Sequence, residues 1–257
     1  MDILHFVGKV LPSSINITIG FRPEINWKEP ELGYEAMYVV AVQDSNIDVE
    51  VRIPQFDAND PVLFSRLYAR VFDMARAAVD VVAFSMGYGT SVVFTELVLP
   101  NGHRQPFPPV VHPELAALCT SYSLEGAKFD EVYSLAISDY QHFMALRDLI
   151  EAITIPHIAP ISCGRVIDAI RRIISPNEKD AAKGWKAMHA ALNVSREYQE
   201  WISKLAANPR HADRSFIVGP TVNETLRRTW IIMDRLIAYK KADRAPLVHP
   251  TFPRLTE

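Results

Sequence analysis

Residues 195 to 239 read SREYQEWISKLAANPRHADRSFIVGPTVNETLRRTWIIMDRLIAY, and the spacing of their apolar side chains sets the fold class of the C-terminal half. Tyr198, Trp201, Ile202 and Leu205 recur at helical spacing, as do Leu226, Trp230, Met233 and Ile237. The stretch therefore reads as two amphipathic helices whose apolar stripes face each other. Pro209 lies between them; it lacks an N–H and clashes with the preceding turn. The chain is expected to turn at Asn208 and to display Arg210 and His211 at the mouth of the helix pair.

Upstream, the same periodicity continues. Asp130 to Ile153 reads as one long helix with Tyr133, Ile137, Tyr140, Met144 and Ile150 on its apolar side. Ser162 to Ile174 follows, with Arg165, Arg171 and Arg172 opposite its isoleucines. Ser175-Pro176-Asn177-Glu178 is a capping box that opens a helix holding Ala181, Trp185, Met188 and Leu192 in register. Ser195 caps the next helix, and Thr221 with Glu224 forms a second box before the last. Four or five antiparallel helices with short loops result.

The first half follows a different pattern. Ile15 to Phe21, Tyr34 to Val42 and Ile47 to Ile53 are rich in β-branched and aromatic residues and read as strands, with Gln43 to Asn46 as a hairpin corner. Asp60-Pro61 is a helix start; Leu63, Leu67, Val71, Met74, Ala78, Val81 and Val82 carry one face to about Phe84, before Gly87. Thr90 to Leu99 is a further strand, closed by Asn101-Gly102. Pro106, Pro108, Pro109 and Pro113 mark a linker, and Leu115 to Tyr122 is expected to add a strand or short helix to the first domain. The expectation is α+β: an antiparallel sheet with a long packed helix in residues 1–125, then an all-α bundle in residues 126–257.

With 257 residues, 49% of them hydrophobic, the chain can bury a core. Two cysteines, Cys119 and Cys163, are too few for a disulfide framework, and their spacing fits no metal site. No apolar run approaches the roughly 18 residues of a membrane span, and the first residues lack an export signal. A soluble protein of the reducing cytoplasm is expected. Residues 1–153 hold 10 Lys and Arg against 20 Asp and Glu, whereas residues 154–257 hold 17 against 10. Either the halves attract each other or the basic half attracts a polyanion such as RNA.

The eight histidines lack the i, i+4 spacing of helical zinc sites, and no phosphate-cradling glycine loop or glycine-flanked nucleophile serine is present. Trp185, Trp201 and Trp230 sit on apolar stripes and read as scaffold.

Leu205-Ala206-Ala207-Asn208-Pro209-Arg210-His211-Ala212-Asp213-Arg214, between two amphipathic helices in a small basic bundle, resembles the HEPN superfamily (higher eukaryotes and prokaryotes nucleotide-binding domains) over residues from about 128 to 242. The resemblance implies a bundle that forms a homodimer. In many members it also implies RNA cleavage without metal or other cofactor, as in bacterial defence or toxin–antitoxin systems. The family motif is an arginine followed four to six residues later by histidine. With His211 as that histidine, the arginine position falls on Lys204, Leu205 or Ala206, and Arg210 is adjacent instead.

Three readings stay open: a site of Arg210 with His211, a site with Lys204 as the cation, or an inactive module that binds a partner without cutting. In the active readings His211 is acid or base at a ribose 2′-hydroxyl, because imidazole titrates near neutrality, and Arg210 holds the scissile phosphate. Asn208, Asp213 and Arg214 border that pair, and Arg227 and Arg228, off the last helix's stripe, are candidate phosphate contacts. The acidic N-terminal domain is the expected sensor or protein-partner surface.

Overall fold

The computed structural model describes residues 1–20, 24–29, 33–106, 113–120, 127–155, 158–210 and 219–256. The chain forms two compact units, Met1–Val111 and His112–Glu257.

The first unit contains β1 (Asp2–Leu11), β2 (Glu24–Glu29), β3 (Tyr34–Gln43), β4 (Asn46–Ile53), α1 (Pro61–Met86), β5 (Ser91–Val98) and β6 (Arg104–Pro106). The strands make one antiparallel sheet in the order β2-β3-β4-β1-β5-β6. Alternate residues of the inner strands point to one face: Leu4, Phe6 and Val10, then Tyr38, Val40 and Val42, then Ile47, Val49, Val51 and Ile53 are all buried. At the β1 bulge Gly8 passes so close to β5 that a Cβ would collide with the Val93 carbonyl oxygen, so only glycine fits.

α1 covers this face, and its ends are fixed locally. The Asp60 carboxylate accepts from the Val62 and Leu63 amides, and Gly87 closes the helix in the left-handed conformation with φ 68°. The buried row is Leu63, Leu67, Val71, Ala75, Val79 and Ala83, not the expected one through Met74, Ala78 and Val81; Val81 is exposed. The row follows a single i+4 ridge, whose inclination to the helix axis suits a twisted sheet.

Asp44 and Ser45 both have positive φ, 50° and 62°, and make the two-residue corner that matches strand twist. The Ser45 hydroxyl donates to the Ile15 carbonyl at 2.7 Å and accepts from the Ile17 amide at 2.9 Å. That latch replaces the strand expected at Ile15 to Phe21: its described part meets the sheet only at the Ile19–Val42 bridge, while β1 and β2 supply strands instead.

The second unit contains α2 (Pro113–Ala116), α3 (Ala127–Ile137), α4 (Tyr140–Thr154), α5 (Ala159–Ile174), α6 (Ala181–Leu192), α7 (Arg196–Arg210) and α8 (Gly219–Lys241). Leu115 of α2 is buried in this unit's core, so α2 adds to the bundle and not to the sheet. The hub is α5, which packs on α4, α6, α7 and α8; Cys163, Val166, Ile167 and Ile170 are fully buried. α7 packs mainly on α5 and only lightly on α8, so the two stripes of residues 195–239 meet a shared third helix more than each other. α8 is buried nearly all round through Leu226, Ile232, Met233, Leu236 and Ile237.

Four helix boundaries differ from those expected. Asp139 accepts from the Gln141 and His142 amides and so splits the expected long helix into α3 and α4. Asp180, not Ser175, caps α6; the Glu178 carboxylate binds the Asp180 amide instead of completing a box. α8 begins two residues before Thr221, with Pro220 in its first turn, so the second box does not form either. The α7 backbone continues through Pro209 to Arg210, beyond the expected turn at Asn208.

Candidate nucleic-acid interface

Among the expected site residues, His211, Asp213 and Arg214 lie outside the described residues, as do the side chains of Asn208 and Arg210. Lys204 is exposed on α7. Ser195 caps that helix through its hydroxyl, which accepts from the Tyr198 amide at 3.1 Å, and Tyr198, Ile202 and Ala206 turn the opposite face inward.

The arginines expected to reach phosphate are committed elsewhere. Arg227 makes two hydrogen bonds to the Glu224 carboxylate, at 2.8 and 3.1 Å, and Arg228 donates to the same carboxylate at 2.7 Å. The Arg228 side chain, only 11% exposed, lies over the rings of Tyr198 at 4.8 Å and Trp201 at 4.4 Å. Hydrogen bonds from Arg227 and Arg228 hold the Glu224 carboxyl below its ordinary range despite partial burial. Burial pushes the Tyr198 hydroxyl up to about 12, and that oxygen has no hydrogen-bond partner. A cleft of about 270 Å³ lined by Glu114, Leu115, Pro220, Asn223, Glu224 and Arg227 adjoins this cluster; with two carboxylates against one guanidinium it is unsuited to an anion.

A second aromatic–arginine arrangement lies where α5 ends and α6 begins. The Arg171 guanidinium stands 5.2 Å from the Trp185 ring, which also stacks with His189 at 6.4 Å. Gly184 lets Arg171 lie across α6, since a Cβ there would sit 3.1 Å from its Nη1. Burial holds the His189 imidazole below its ordinary range and therefore neutral near pH 7.

On the same two helices, and just before the second, Arg172, Lys183, Lys186 and Lys179 are exposed, and neither they nor Arg171 belongs to an ion pair among the described residues. The two nearby carboxylates serve the backbone: Glu178 accepts from the Asp180 amide and Asp180 caps α6. Cations and a half-buried indole on one helix pair are the residue types that suit an anionic chain, a cation for phosphate and a ring for a base. The sequence carries the signal in Lys183 and Lys186, three apart on one face of α6, with Lys179 just before the Asp180 cap.

Elsewhere in the unit Lys240 donates to Asp139 at 2.8 Å and approaches Nδ1 of His142 at 3.2 Å. His142 is fully buried, its Nε2 has no partner among the described residues, and burial with the Lys240 charge pulls its pKa down to about 4. The Cys119 sulfur accepts from the Trp230 indole N–H, and burial raises the Cys163 thiol to about 12. No group of three or more His, Cys, Asp or Glu side chains placed to hold a metal occurs among the described residues, and no described helix is long and apolar enough to cross a membrane.

No curated protein and no solved structure matches the chain. The domain of unknown function DUF8168 matches twice, its N-terminal domain over residues 4–108 and its C-terminal domain over residues 129–241. These spans fall in the sheet unit and the helical unit respectively. The chain carries both domains in order across most of its length, and it belongs to the DUF8168 family.

Proposed function

We propose that the helical unit binds single-stranded RNA and that α5–α6 is its docking edge. The observation that carries this reading is the set of cations Arg171, Arg172, Lys179, Lys183 and Lys186, in no ion pair among the described residues, on and beside the helix pair that holds Trp185, in the half of the chain with 17 basic against 10 acidic residues. Lys204, exposed on α7, is a further cation for a bound strand. A reducing cytoplasm suits both the ligand and two cysteines that remain free. The acidic N-terminal unit is left for a sensor role or a protein partner.

Fluorescence anisotropy of the full chain with a labelled RNA oligonucleotide, across a salt series, tests the binding. Four phosphate contacts give log K against log salt a slope of about −3. Removing Arg172, Lys183 and Lys186 together, each as Ala, should bring the slope to about −1 with little change in melting temperature. Salt-independent binding, or none, overturns the reading.

Cleavage by Arg210 and His211, the HEPN-like chemistry, is the catalytic form of the same proposal. It requires chelator-resistant RNA cleavage by the intact chain that His211→Ala abolishes. The non-cutting alternative draws on Arg227 and Arg228, which share the Glu224 carboxylate and are held by it. It expects a dimerisation or partner-binding module that leaves RNA uncut.

A further inference from the structure

On α3 and α4 the structure leaves outside what the sequence pattern places inside. Phe129, Tyr133 and Ile137 recur every four residues along α3 and are 48%, 53% and 56% exposed, while Tyr140, Phe143 and Ile150 of α4 are 73%, 45% and 48% exposed. The core is supplied by the other side of α4, through Ala145, Leu149 and Ala152. Phe129 and Tyr133 stack at 5.9 Å, which holds their rings side by side at the surface. The two rows meet at the Ser138-Asp139 corner, where Ile137 and Tyr140 are three residues apart.

Single apolar residues at a surface are ordinary, but six large ones on consecutive helices reach the upper end of what a monomer usually shows, where patches are often functional. At about 200 Å² per large side chain they leave on the order of 600 Å² to solvent. With a polar rim this approaches the roughly 800 Å² per partner that a stable association buries. The apolar surface of α8 is spent in the core and is not available for the same purpose.

We propose that the α3–α4 face pairs with the same face of a second copy of the chain across a two-fold axis beside α4. The charged residues on the outer row of α4 are Arg147 and Glu151, bonded at 3.0 Å and 59% and 37% exposed. One cation and one anion a turn apart are their own complement after a half-turn rotation, so Arg147 of each copy faces Glu151 of the other. RNA finds no cationic excess on this face, and a strongly acidic or basic protein would match only one of the two charges. The pairing does not depend on RNA binding.

Sedimentation velocity of the full chain without nucleic acid, from low to high micromolar concentration, is expected to show a monomer–dimer equilibrium. Tyr140→Lys with Phe143→Lys should raise the dissociation constant about tenfold or more while circular dichroism keeps the helix content. If that variant loses helix, the charge variants decide. Arg147→Glu and Glu151→Arg each weaken self-association, and an equimolar mixture of the two restores it, because unlike charges then face each other across the axis. A chain that stays monomeric, whether its face is covered within the chain or awaits another protein, overturns the proposal. So does a dimer indifferent to these substitutions, or a mixture that fails to recover.

Discussion

The α5–α6 edge and the α7–α8 pair use the same local device, an arginine laid over aromatic rings, toward opposite ends. Arg171, half-buried, sits over Trp185 with no ion pair among the described residues, and the exposed lysines of α6 stand on the same helix as that ring. Arg228 sits over Tyr198 and Trp201 with Glu224 attached and is almost fully covered. Stacking alone therefore does not tell a ligand-facing guanidinium from a structural one. The presence of a carboxylate and the loss of solvent decide it, because a buried charge left unpaired costs far more than an exposed one.

The sharpest way to break this comparison is to remove the carboxylate. Glu224→Ala should destabilise the helical unit by about 3 kcal/mol, since it strips the partner from a guanidinium with little access to water. Lys183→Ala should change stability by less than about 0.5 kcal/mol. Thermal melts of both variants check the contrast; equal losses would mean that Glu224 is no more than a surface partner.

The comparison also depends on pH, and the signs follow from the direction of each shift. Glu224 has a depressed folded pKa, so its contribution is present above the unfolded value of about 4.3 and is lost as pH falls through the folded pKa. His142 acts earlier in the same direction: held neutral down to about 4 when folded, it takes a proton near 6.5 only when unfolded. Stability is therefore full above about pH 6.5 and declines toward pH 4, by about 2 kcal/mol between pH 7 and pH 5 from this residue. Denaturant titrations at those two pH values, on the intact chain and on His142→Asn, should show the variant with the flatter response.

The smallest expected effect sharpens the other side. Gly184→Ala offers up to about 1 kcal/mol of helix propensity but places a methyl against the Arg171 guanidinium. The melting temperature should hold or rise slightly, while RNA affinity falls a few-fold. Unchanged affinity would show that the seat of Arg171 over Trp185 plays no part in binding.

Legibility in the sequence followed the range of the interaction concerned. Asp60-Pro61, Gly87 and the Gln43–Asn46 corner act over a few residues, and each stands where its local chemistry puts it. Helical spacing located every long helix but could not rank competing caps: Asp139 and Asp180 prevail over longer or box-like readings. Periodicity also does not say what covers a stripe. The row through Tyr133, Ile137 and Tyr140 has the pattern of a core face and is exposed, because burying Ala145, Leu149 and Ala152 already seats α4 on α5. Arg227 and Arg228 sat off the stripe as expected, but their attachment to Glu224 depends on rotamer and on the rings of α7, which spacing does not encode.

The place of β1 in the sheet bears on how the first unit opens and closes. β1 lies between β4 and β5, so its backbone bonds on one side cannot form until a strand more than eighty residues later arrives. Pairings of such long sequence separation make for slow assembly. In the finished unit the same strand should exchange its amide hydrogens last, through global unfolding alone, whereas the outer strands β2 and β6 release theirs by local fraying.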